Sequence, residues 1–580
     1  MMRRPAMLLL IASLAAPAWA ASPADKAFKA LIDQEWAWRE KQGAGGEGDE
    51  RIRAHLPDVT PAAQAGRLAY LQGIRRQLDA IRPASLSDDG QVDYAIYRYE
   101  LDTRIAQLTF RNWEMPANSD SSFWSELGYT ARATYKTESD YRHWIAQLHE
   151  VPRYFDDQIA NMRAGEARGF TPPKVTLTGR EQSVAVVLDA KTPEDSSLYT
   201  PFKTMPASIP AATQAALRAE ARKAIVEEVL PAYRHLLAFL RDDYIPHARA
   251  SLAAEALPGG KAWYAAQIRE YATVEQTPDQ IHAIGLAEVA KIRAEMDTVM
   301  RESGFKGDFP AFLAFLRTDP RFYAKSPDEL LKDAAWIAKQ VDGKVGAWIG
   351  HLPRRRFAIV PVPADIAPFY TAGRGGPGQY LVNTYDLPSR PLFQLPALTL
   401  HESAPGHAMQ IPLAAENKDQ PAFRRNLYIS AFGEGWALYC ERLGDEMGIY
   451  QTPYEQFGML SYQMWRTARL VVDTGVHSKG WSRDRAIAFL HDNTALSQHE
   501  IETEVDRYIS WPGQALSYYL GEMAIRHARA RAEAALGPKF NIRAFHDMVL
   551  ALGSVPLPVL DARVTKFITE GGKGPYPEEE

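Results

Sequence analysis

Apolar residues recur at intervals of three and four positions along most of the chain, as at Leu230, Tyr233, Leu237 and Leu240. This interval matches the turn of an α-helix and predicts helices that bury one face. Several segments open with a hydroxyl residue, a proline and an acid, which is typical of a helix N-terminus. We predict a mainly α protein, with helices over residues 24–41, 93–107, 139–163, 211–254, 278–302, 327–345, 395–417, 428–447, 454–477 and 513–536.

Alternating patterns typical of β-strands are few. Residues 357–362 alternate beside prolines, and residues 379–383 form a short candidate strand. The glycine-rich residues 373–378 lack the Lys-Ser/Thr ending of a phosphate-binding loop, so they indicate a flexible loop. We therefore expect a small β element just before the helix at 395–417. Residues 379–385 are a candidate edge strand, to which an extended peptide could add through backbone hydrogen bonds.

The first twenty residues differ from the rest of the chain. Two arginines precede an apolar run at residues 5–17, and small residues follow at the two positions that signal peptidase reads. This layout predicts a signal peptide over residues 1–20, cleaved between Ala20 and Ala21, and hence a periplasmic or secreted protein. A short membrane anchor is the alternative, but the run is shorter than the roughly 20 residues that span a bilayer. No later segment predicts a membrane span.

Composition narrows the function further. Hydrophobic residues make up 46% of the chain and charged residues 24%, which is ordinary for a globular protein. The net charge of -5 gives no electrostatic reason to expect nucleic acid as a partner. Cys440 is the only cysteine, so an intrachain disulfide is excluded.

We expect two lobes around a cleft, an N-terminal helical lobe at 21–350 and a metal-binding catalytic lobe at 351–580.

The most unusual polar cluster interrupts the apolar segment 395–410, where His401 and Glu402 are followed by His407. In zinc peptidases, two histidines on one helix bind the metal and an adjacent glutamate activates a water. Those histidines are four residues apart and share a helix face. Here they are six apart, which on an ideal helix leaves their side chains about 120° apart.

Pro405 and Gly406 offer a way to remove this mismatch. Proline denies the backbone hydrogen bond to residue 401 and clashes with its carbonyl, while glycine tolerates unusual backbone angles. We hypothesise that together they bend or interrupt the helix and bring His407 back towards His401.

A third ligand is expected from a nearby helix. Glu434 is a lone acid between two glycines in an otherwise apolar segment. A buried carboxylate is costly unless a metal or a cation partners it. Glu434 is therefore the candidate ligand and Glu441 the fallback, while an ion pair of Glu434 with Arg424 or Arg469 is the alternative that involves no metal.

Short motifs spread over about residues 50–575 carry a family resemblance. They are Val-Asn-Thr-Tyr-Asp-Leu-Pro-Ser-Arg at 382–390, His-Glu-Ser-Ala-Pro-Gly-His at 401–407 with Gln410, Glu-Gly-Trp-Ala-Leu-Tyr at 434–439, Asp-Thr-Gly-Val-His at 473–477, Arg507-Tyr508 and Pro-Gly-Gln-Ala at 512–515. In this order they resemble the bacterial domain-of-unknown-function family 885 (DUF885). That family in turn resembles helical zinc peptidases, such as thermostable carboxypeptidases and the angiotensin-converting enzyme group, from which the histidine spacing differs.

The resemblance implies a zincin-like helical fold with one zinc ion held by His401, His407 and Glu434. Glu402 would take a proton from the activated water and pass it to the leaving amine. Donors for the developing oxyanion are expected among His477, Tyr508, Tyr518 and Tyr519, with Asp473 orienting His477. Substrate-binding residues are expected among Asn383, Tyr385, Gln410, Arg469, Arg507 and Tyr508, of which the two arginines suit a substrate carboxylate. A helix-terminal cap is the alternative for His477, and packing is the alternative for one of Tyr518 and Tyr519.

These observations predict an exported zinc-dependent peptidase, of carboxypeptidase or dipeptidase type. A zinc-dependent amidase or esterase acting on other small molecules would use the same activated water. A non-catalytic metal- or peptide-binding protein is the third interpretation, but a purely structural metal site has no use for an acid such as Glu402 beside the metal. No Gly-x-Ser-x-Gly motif indicates a serine hydrolase.

Overall fold

The computed structural model describes residues 22–43, 51–119, 121–364 and 367–577. The predicted signal peptide lies outside these residues. Within them the chain is mainly helical, as predicted. The helices before the sheet are α1 (Pro23–Lys41), α2 (Pro61–Asp79), α3 (Asp88–Thr109), α4 (Phe123–Arg132), α5 (Glu138–Ala167), α6 (Lys174–Leu177), α7 (Gln182–Leu188), α8 (Thr200–Lys203), α9 (Ala211–Ala224), α10 (Leu230–Phe239), α11 (Ile245–His247), α12 (Gly260–Ala272), α13 (Pro278–Glu302), α14 (Phe309–Thr318) and α15 (Pro327–Asp342).

A second series of helices follows the sheet. It consists of α16 (Leu395–Glu402), α17 (His407–Glu416), α18 (Ala422–Arg425), α19 (Ser430–Glu446), α20 (Pro453–Lys479), α21 (Arg483–Asn493), α22 (Gln498–Ser510), α23 (Ser517–Leu536), α24 (Ile542–Ala551) and α25 (Leu557–Thr569). The single helix predicted over 395–417 is thus two helices. None of the described helices is both long and apolar enough to cross a membrane.

The predicted cap residues begin the helices at which the sequence places them. The Thr277 hydroxyl accepts a hydrogen bond from the Gln280 backbone N–H, and the Gln280 side chain accepts one from the Thr277 N–H. The Ser326 hydroxyl accepts from the Glu329 N–H in the same way. These bonds satisfy backbone donors that the first helical turn leaves without partners, so α13 and α15 begin at the prolines that follow.

The small β element is a three-stranded sheet of β1 (Ala358–Pro361), β2 (Gly373–Gly376) and β3 (Gln379–Val382). The strand order is β1-β3-β2, with β1 parallel and β2 antiparallel to β3. Two expectations are wrong here. The glycine-rich segment, expected to be a flexible loop, is a strand. Its own sequence does not favour a strand, but β3 supplies hydrogen-bond partners for its backbone. Since β2 and β1 flank β3, the segment expected to be an edge strand is instead central.

The hydrophobic cores join distant parts of the chain. One cluster forms within residues 52–248. A second joins residues 28–101 to 341–567, and a third joins residues 170–334 to 372–520. The helices that follow the sheet therefore pack on segments from both ends of the chain.

Helices α19, α20 and α23 lie deep in these cores, and every residue of α20 from Phe457 to His477 is buried. Glycines let α19 and α23 approach closely. A Cβ added to Gly435 would lie 2.5 Å from the backbone of Gly521, so a larger residue at either position would force the two helices apart. This contact fixes the position of Glu434, which precedes Gly435.

Candidate metal centre and cavity

His401 and His407 come together because the helix between them is interrupted. The first helix ends at Glu402 and the next begins at His407, with a cis peptide bond between Ala404 and Pro405. The predicted interruption at Pro405-Gly406 is thus confirmed. The two imidazole centroids lie 4.9 Å apart, and potential ligand atoms of His401, Glu402 and His407 all lie within 4.8 Å of one another.

Glu434 of α19 completes this cluster. Its Oε2 lies 3.5 Å from Nε2 of His401 and 3.3 Å from Nε2 of His407. Its other oxygen accepts a hydrogen bond of 3.0 Å from the Tyr428 hydroxyl. Each imidazole therefore directs its Nε2 at Oε2 of Glu434. These three side chains are the ones predicted to be metal ligands.

Glu441 lies on the opposite side of the His401 ring. Its Oε1 is 2.8 Å from His401 Nδ1, and the carboxylate is fully buried. A carboxylate that accepts the Nδ1 proton leaves Nε2 as the nitrogen with a free lone pair and fixes the orientation of the ring. The position of Glu441 is that of an orienting partner rather than of a ligand at the Nε2 side.

Glu402 contacts the sheet. Its Oε2 accepts a hydrogen bond of 2.6 Å from the Gly375 N–H of β2. The strand and the helix end are so close here that a Cβ on Gly375 would lie 1.8 Å from the Glu402 carbonyl oxygen. Glycine is therefore required at this position of β2, and the glycine-rich segment holds the Glu402 carboxylate beside the two histidines.

The charges of this cluster are unbalanced. Burial alone would lower the pKa of His401, but the adjacent carboxylates of Glu402, Glu434 and Glu441 outweigh it and raise that pKa to about 10. Burial opposes ionisation of Glu434, yet the two imidazoles hold its pKa well below the usual range. Two buried acids and the partly buried Glu434 around two imidazoles thus require added positive charge, from protons or from a metal ion.

The donor set fits zinc. Two imidazole nitrogens and one carboxylate oxygen are the ligands of catalytic zinc sites, whereas magnesium and calcium prefer oxygen alone. The orphaned Nδ1 of His407 is buried and has no hydrogen-bond partner among the described residues, so Nε2 is the nitrogen of His407 engaged with the cluster. His401, His407 and Glu434 would hold the ion.

The cluster opens onto a cavity of about 3350 Å³. Its walls come from the N-terminal helices, from β2 and from the helices that carry the cluster. Tyr129 and Tyr271 line it from the first part of the chain, and Arg374 lines it from the sheet. Of the predicted substrate-binding residues, Tyr385, Arg469 and Arg507 line the cavity.

Three arginines form part of the wall of this cavity, and we call Arg390, Arg466 and Arg469 the arginine wall. Arg469 donates from Nε to the Tyr508 hydroxyl at 2.8 Å and from Nη2 to Glu504 at 2.9 Å. Tyr508 is not among the lining residues and supports Arg469 from behind.

Of the predicted oxyanion donors, only Tyr518 lines the cavity, where its ring centroid lies 4.3 Å from the Arg469 guanidinium carbon. The Tyr519 hydroxyl donates instead to Glu288 at 2.7 Å. Consecutive residues of a helix point about 100° apart, so one of the two tyrosines must turn away.

His477 is not brought to the cavity. It lies eight residues beyond Arg469, which is about 12 Å further along α20. Its Nδ1 accepts from the Ala254 N–H, its Nε2 donates to the Tyr508 carbonyl, and burial lowers its pKa to about 3. The expected orienting partner, Asp473, accepts hydrogen bonds from the Tyr264 hydroxyl and the Gly513 N–H instead.

Two further predicted binding residues have other surroundings. The Asn383 amide donates to the carbonyls of Ala367, Tyr370 and Thr371 and accepts from the Tyr385 N–H, so it fixes the loop around the end of β3. Gln410 lines a separate pocket of about 350 Å³ and does not line the large cavity.

Sequence reasoning missed Arg466, Tyr428 and Gly375. Arg466 had a usable signal, because it lies three residues before Arg469 on the same apolar helix and must share its face. Tyr428 and Gly375 had none, because Tyr428 precedes the helix that carries Glu434 and Gly375 reaches Glu402 only through the packing of β2 on α16.

The fold and the site together define a mainly helical protein with a buried histidine–glutamate cluster in the wall of a large cavity. The chain belongs to the family described as "Bacterial protein of unknown function (DUF885)", whose model matches residues 40–564. The predicted family membership is thereby confirmed. None of the curated proteins compared with the chain matches it.

Two solved structures are similar over nearly the whole chain. One, described as "the putative lipoprotein from Colwellia psychrerythraea", is 26% identical, covers 94% of this chain and 98% of its own, and has a TM-score of 0.84. The other, "a putative lipoprotein of unknown function from Shewanella oneidensis", is 19% identical, covers 93% of this chain and 99% of its own, and has a TM-score of 0.69. The second likeness shows the fold alone.

Proposed function

We propose that this protein is a zinc-dependent hydrolase that cleaves peptides. The observation that carries the proposal is the convergence of His401 Nε2 and His407 Nε2 on Glu434, with the Glu402 carboxylate beside them. A metal site that serves structure alone would not need this additional acid. The zincin-like character of the fold, with two lobes around the cavity, belongs to the same proposal.

Each side chain has a definite task in such a reaction. His401, His407 and Glu434 would hold a zinc ion, which when bound would supply an activated water and polarise the scissile carbonyl. Glu402 takes the proton of the attacking water and delivers it to the leaving amine. The hydrogen bond from the Gly375 N–H keeps the Glu402 carboxylate in place during both transfers.

The cavity favours a peptide over a small amide or ester. Sites for single small molecules usually occupy about 300–1,000 Å³, and this cavity holds about 3350 Å³. An extended peptide of several residues uses such a volume, whereas a small amide would leave most of it filled with water.

Strand β2 offers a means of holding a peptide backbone. The Ala372 carbonyl accepts a hydrogen bond from the Asn383 N–H, and in an antiparallel pair alternate residues face the partner strand. Gly373 and Gly375 therefore direct their backbone groups away from β3, and of these the Gly375 N–H already donates to Glu402, which leaves the other groups for a substrate. A substrate that adds to this edge would be bound by its backbone, with little regard to its sequence.

We also propose that the protein acts outside the cytoplasm. The sequence pattern of residues 1–20 supports this location, and the similar structure from Colwellia psychrerythraea is described as a "putative lipoprotein". The periplasm is the compartment that a cleaved signal peptide favours.

The metal content of purified protein tests the proposal. We expect about one zinc per chain in the wild type and loss of that zinc in His407→Ala, because two remaining ligands hold the ion poorly. His282→Ala is the matched control, since His282 is a partly buried histidine that contacts Thr474 and does not line the cavity. A wild-type protein that binds no zinc, or a His407→Ala variant that retains it, would contradict the assignment.

A further inference from the structure

The arginine wall has unused hydrogen-bond donors. Nη1 of Arg469, Nε and Nη1 of Arg466, and Nε of Arg390 are buried and have no hydrogen-bond partner among the described residues. All three side chains line the same cavity as the metal centre. Leaving donors of a buried guanidinium without partners is costly, and an anion that reached these nitrogens from the cavity would satisfy them.

The Arg469 guanidinium is held rigidly. The Tyr508 hydroxyl accepts from its Nε, Glu504 accepts from its Nη2, and the Trp465 and Tyr518 rings lie 4.5 Å and 4.3 Å from its central carbon. Since two of its three nitrogens are engaged, the position of the third, the buried Nη1, is fixed as well. Such preorganisation is typical of arginines that recognise a planar anion.

Charge on this side of the cavity is positive. Arg390, Arg466, Arg469 and Arg507 line it with the acids Glu500 and Glu504, and the further acid Asp506 is paired with Arg483, so these residues carry a net charge of +2 when the acids are ionised. Counting Glu441, which faces Arg466, leaves +1. Burial raises the pKa of Glu500 to about 7, so near neutral pH the positive excess grows further. An anion is the ligand that would balance this surface.

The arginine wall adjoins the metal centre. Nη2 of Arg466 lies 4.0 Å from Glu441 Oε1, and the same oxygen lies 2.8 Å from His401 Nδ1. Arg466 is therefore separated from the Nδ1 side of His401 only by the Glu441 carboxylate, and both residues line the cavity in which a peptide would lie.

We propose that the arginine wall binds the C-terminal carboxylate of a peptide, so that the protein is a carboxypeptidase-type enzyme. The inference rests on the proposed hydrolase function and names its substrate class. In the reaction, water adds its oxygen to the carbonyl carbon of a peptide bond near the C-terminus. The C–N bond breaks, the amine receives a proton, and a shortened peptide and a C-terminal fragment are released.

Two peptides that differ only at the C-terminus test this. One carries a free carboxylate and the other a carboxamide, and both are offered to the wild type. We expect kcat/KM to be about 100-fold or more higher for the free acid, because a site built to bind a charged group rejects the analogue that lacks it. Arg469→Met should remove most of that preference, mainly through a higher KM, and Arg469→Lys should restore part of it.

The matched control is Arg483→Met. Arg483 also forms an ion pair with an acid, Asp506 at 2.6 Å, but does not line the cavity. Its removal should leave the preference for the free acid unchanged. Circular dichroism of each variant separates loss of folding from loss of recognition, and the wild-type comparison of the two peptides needs no variant at all.

The outcomes distinguish the two proposals. Equal cleavage of the acid and the amide by the wild type would overturn the carboxylate site and leave the hydrolase standing. If the wild type cleaves neither peptide, the hydrolase proposal fails, and calorimetry with the two uncleaved peptides then decides whether the arginines still select the free acid. Equal affinity for both peptides in that experiment would overturn the carboxylate site as well.

Discussion

Two parts of one cavity carry opposite charges. At the metal centre, Glu402, Glu434 and Glu441 surround two imidazoles, so the cluster is short of positive charge. At the arginine wall, guanidinium groups outnumber acids, so that surface is short of negative charge. Neither part is balanced by its own residues, and each requires a different partner.

The two parts are joined rather than independent. Glu441 contacts His401 on one side and faces Arg466 at 4.0 Å on the other. A cation at the metal centre and an anion at the arginine wall would balance both parts together. A peptide cleaved next to its C-terminus places a polarisable carbonyl and an anion about one residue apart, so one substrate could contact both parts of the cavity.

The largest effect is expected at the metal centre. Glu402→Gln keeps the size of the side chain and removes the base, so kcat should fall by roughly 10²–10⁴-fold. Zinc content and the preference for a free C-terminus should both remain, because neither depends on that base. Steady-state kinetics on the free-acid peptide, together with metal analysis, measure all three quantities.

The control for this substitution is Glu416→Gln. Glu416 lies at the end of α17, accepts hydrogen bonds from two backbone N–H groups, and does not line the cavity. Full activity is expected of it. Activity that survives in Glu402→Gln would remove that residue from the mechanism. The metal centre and the arginine wall would then differ only in what they bind.

The metal centre was open to prediction because its signal is local. His401, Glu402 and His407 lie within seven consecutive positions, and the proline and glycine between them indicate the interruption that brings them together. Glu434 was identifiable because an acid between glycines in an apolar segment needs a partner. The helices at 278–302 and 327–345 could also be predicted, because periodicity and cap residues are likewise local signals.

The arginine wall was not predictable as a unit. Arg390 follows the sheet and Arg466 belongs to α20, while the acids that face them lie on α22. Only tertiary packing brings these segments together, and no spacing in the sequence records it. The same cause explains β2, whose glycines form a strand only because β3 lies alongside, and His477, whose buried helix position directs it away from the cavity.

An intermediate effect is expected at the residue that joins the two parts. Glu441→Gln weakens the acceptor for His401 Nδ1 and removes the charge that faces Arg466. Loss of such an orienting carboxylate typically lowers metal affinity by about 10–100-fold. Competition with a zinc chelator measures the affinity, and Glu295→Gln, which alters an ion pair with Arg442 outside the cavity, is the control. Unchanged zinc affinity would show that Glu441 does not orient the ligand.

The smallest effect is expected behind the arginine wall. The Tyr508 hydroxyl accepts hydrogen bonds from Arg469 and from Trp465, so Tyr508→Phe releases the guanidinium without removing its charge. One hydrogen bond contributes about 1 kcal/mol, and we therefore expect KM for the free-acid peptide to rise roughly fivefold with zinc content unchanged. Tyr519→Phe removes a hydroxyl that contacts Glu288 away from the cavity and should leave KM as it is. Tyr508→Phe could instead lower zinc content and leave KM unchanged. In that case the metal centre does not bind metal independently of the arginine wall, and the distinction drawn from their charges is wrong.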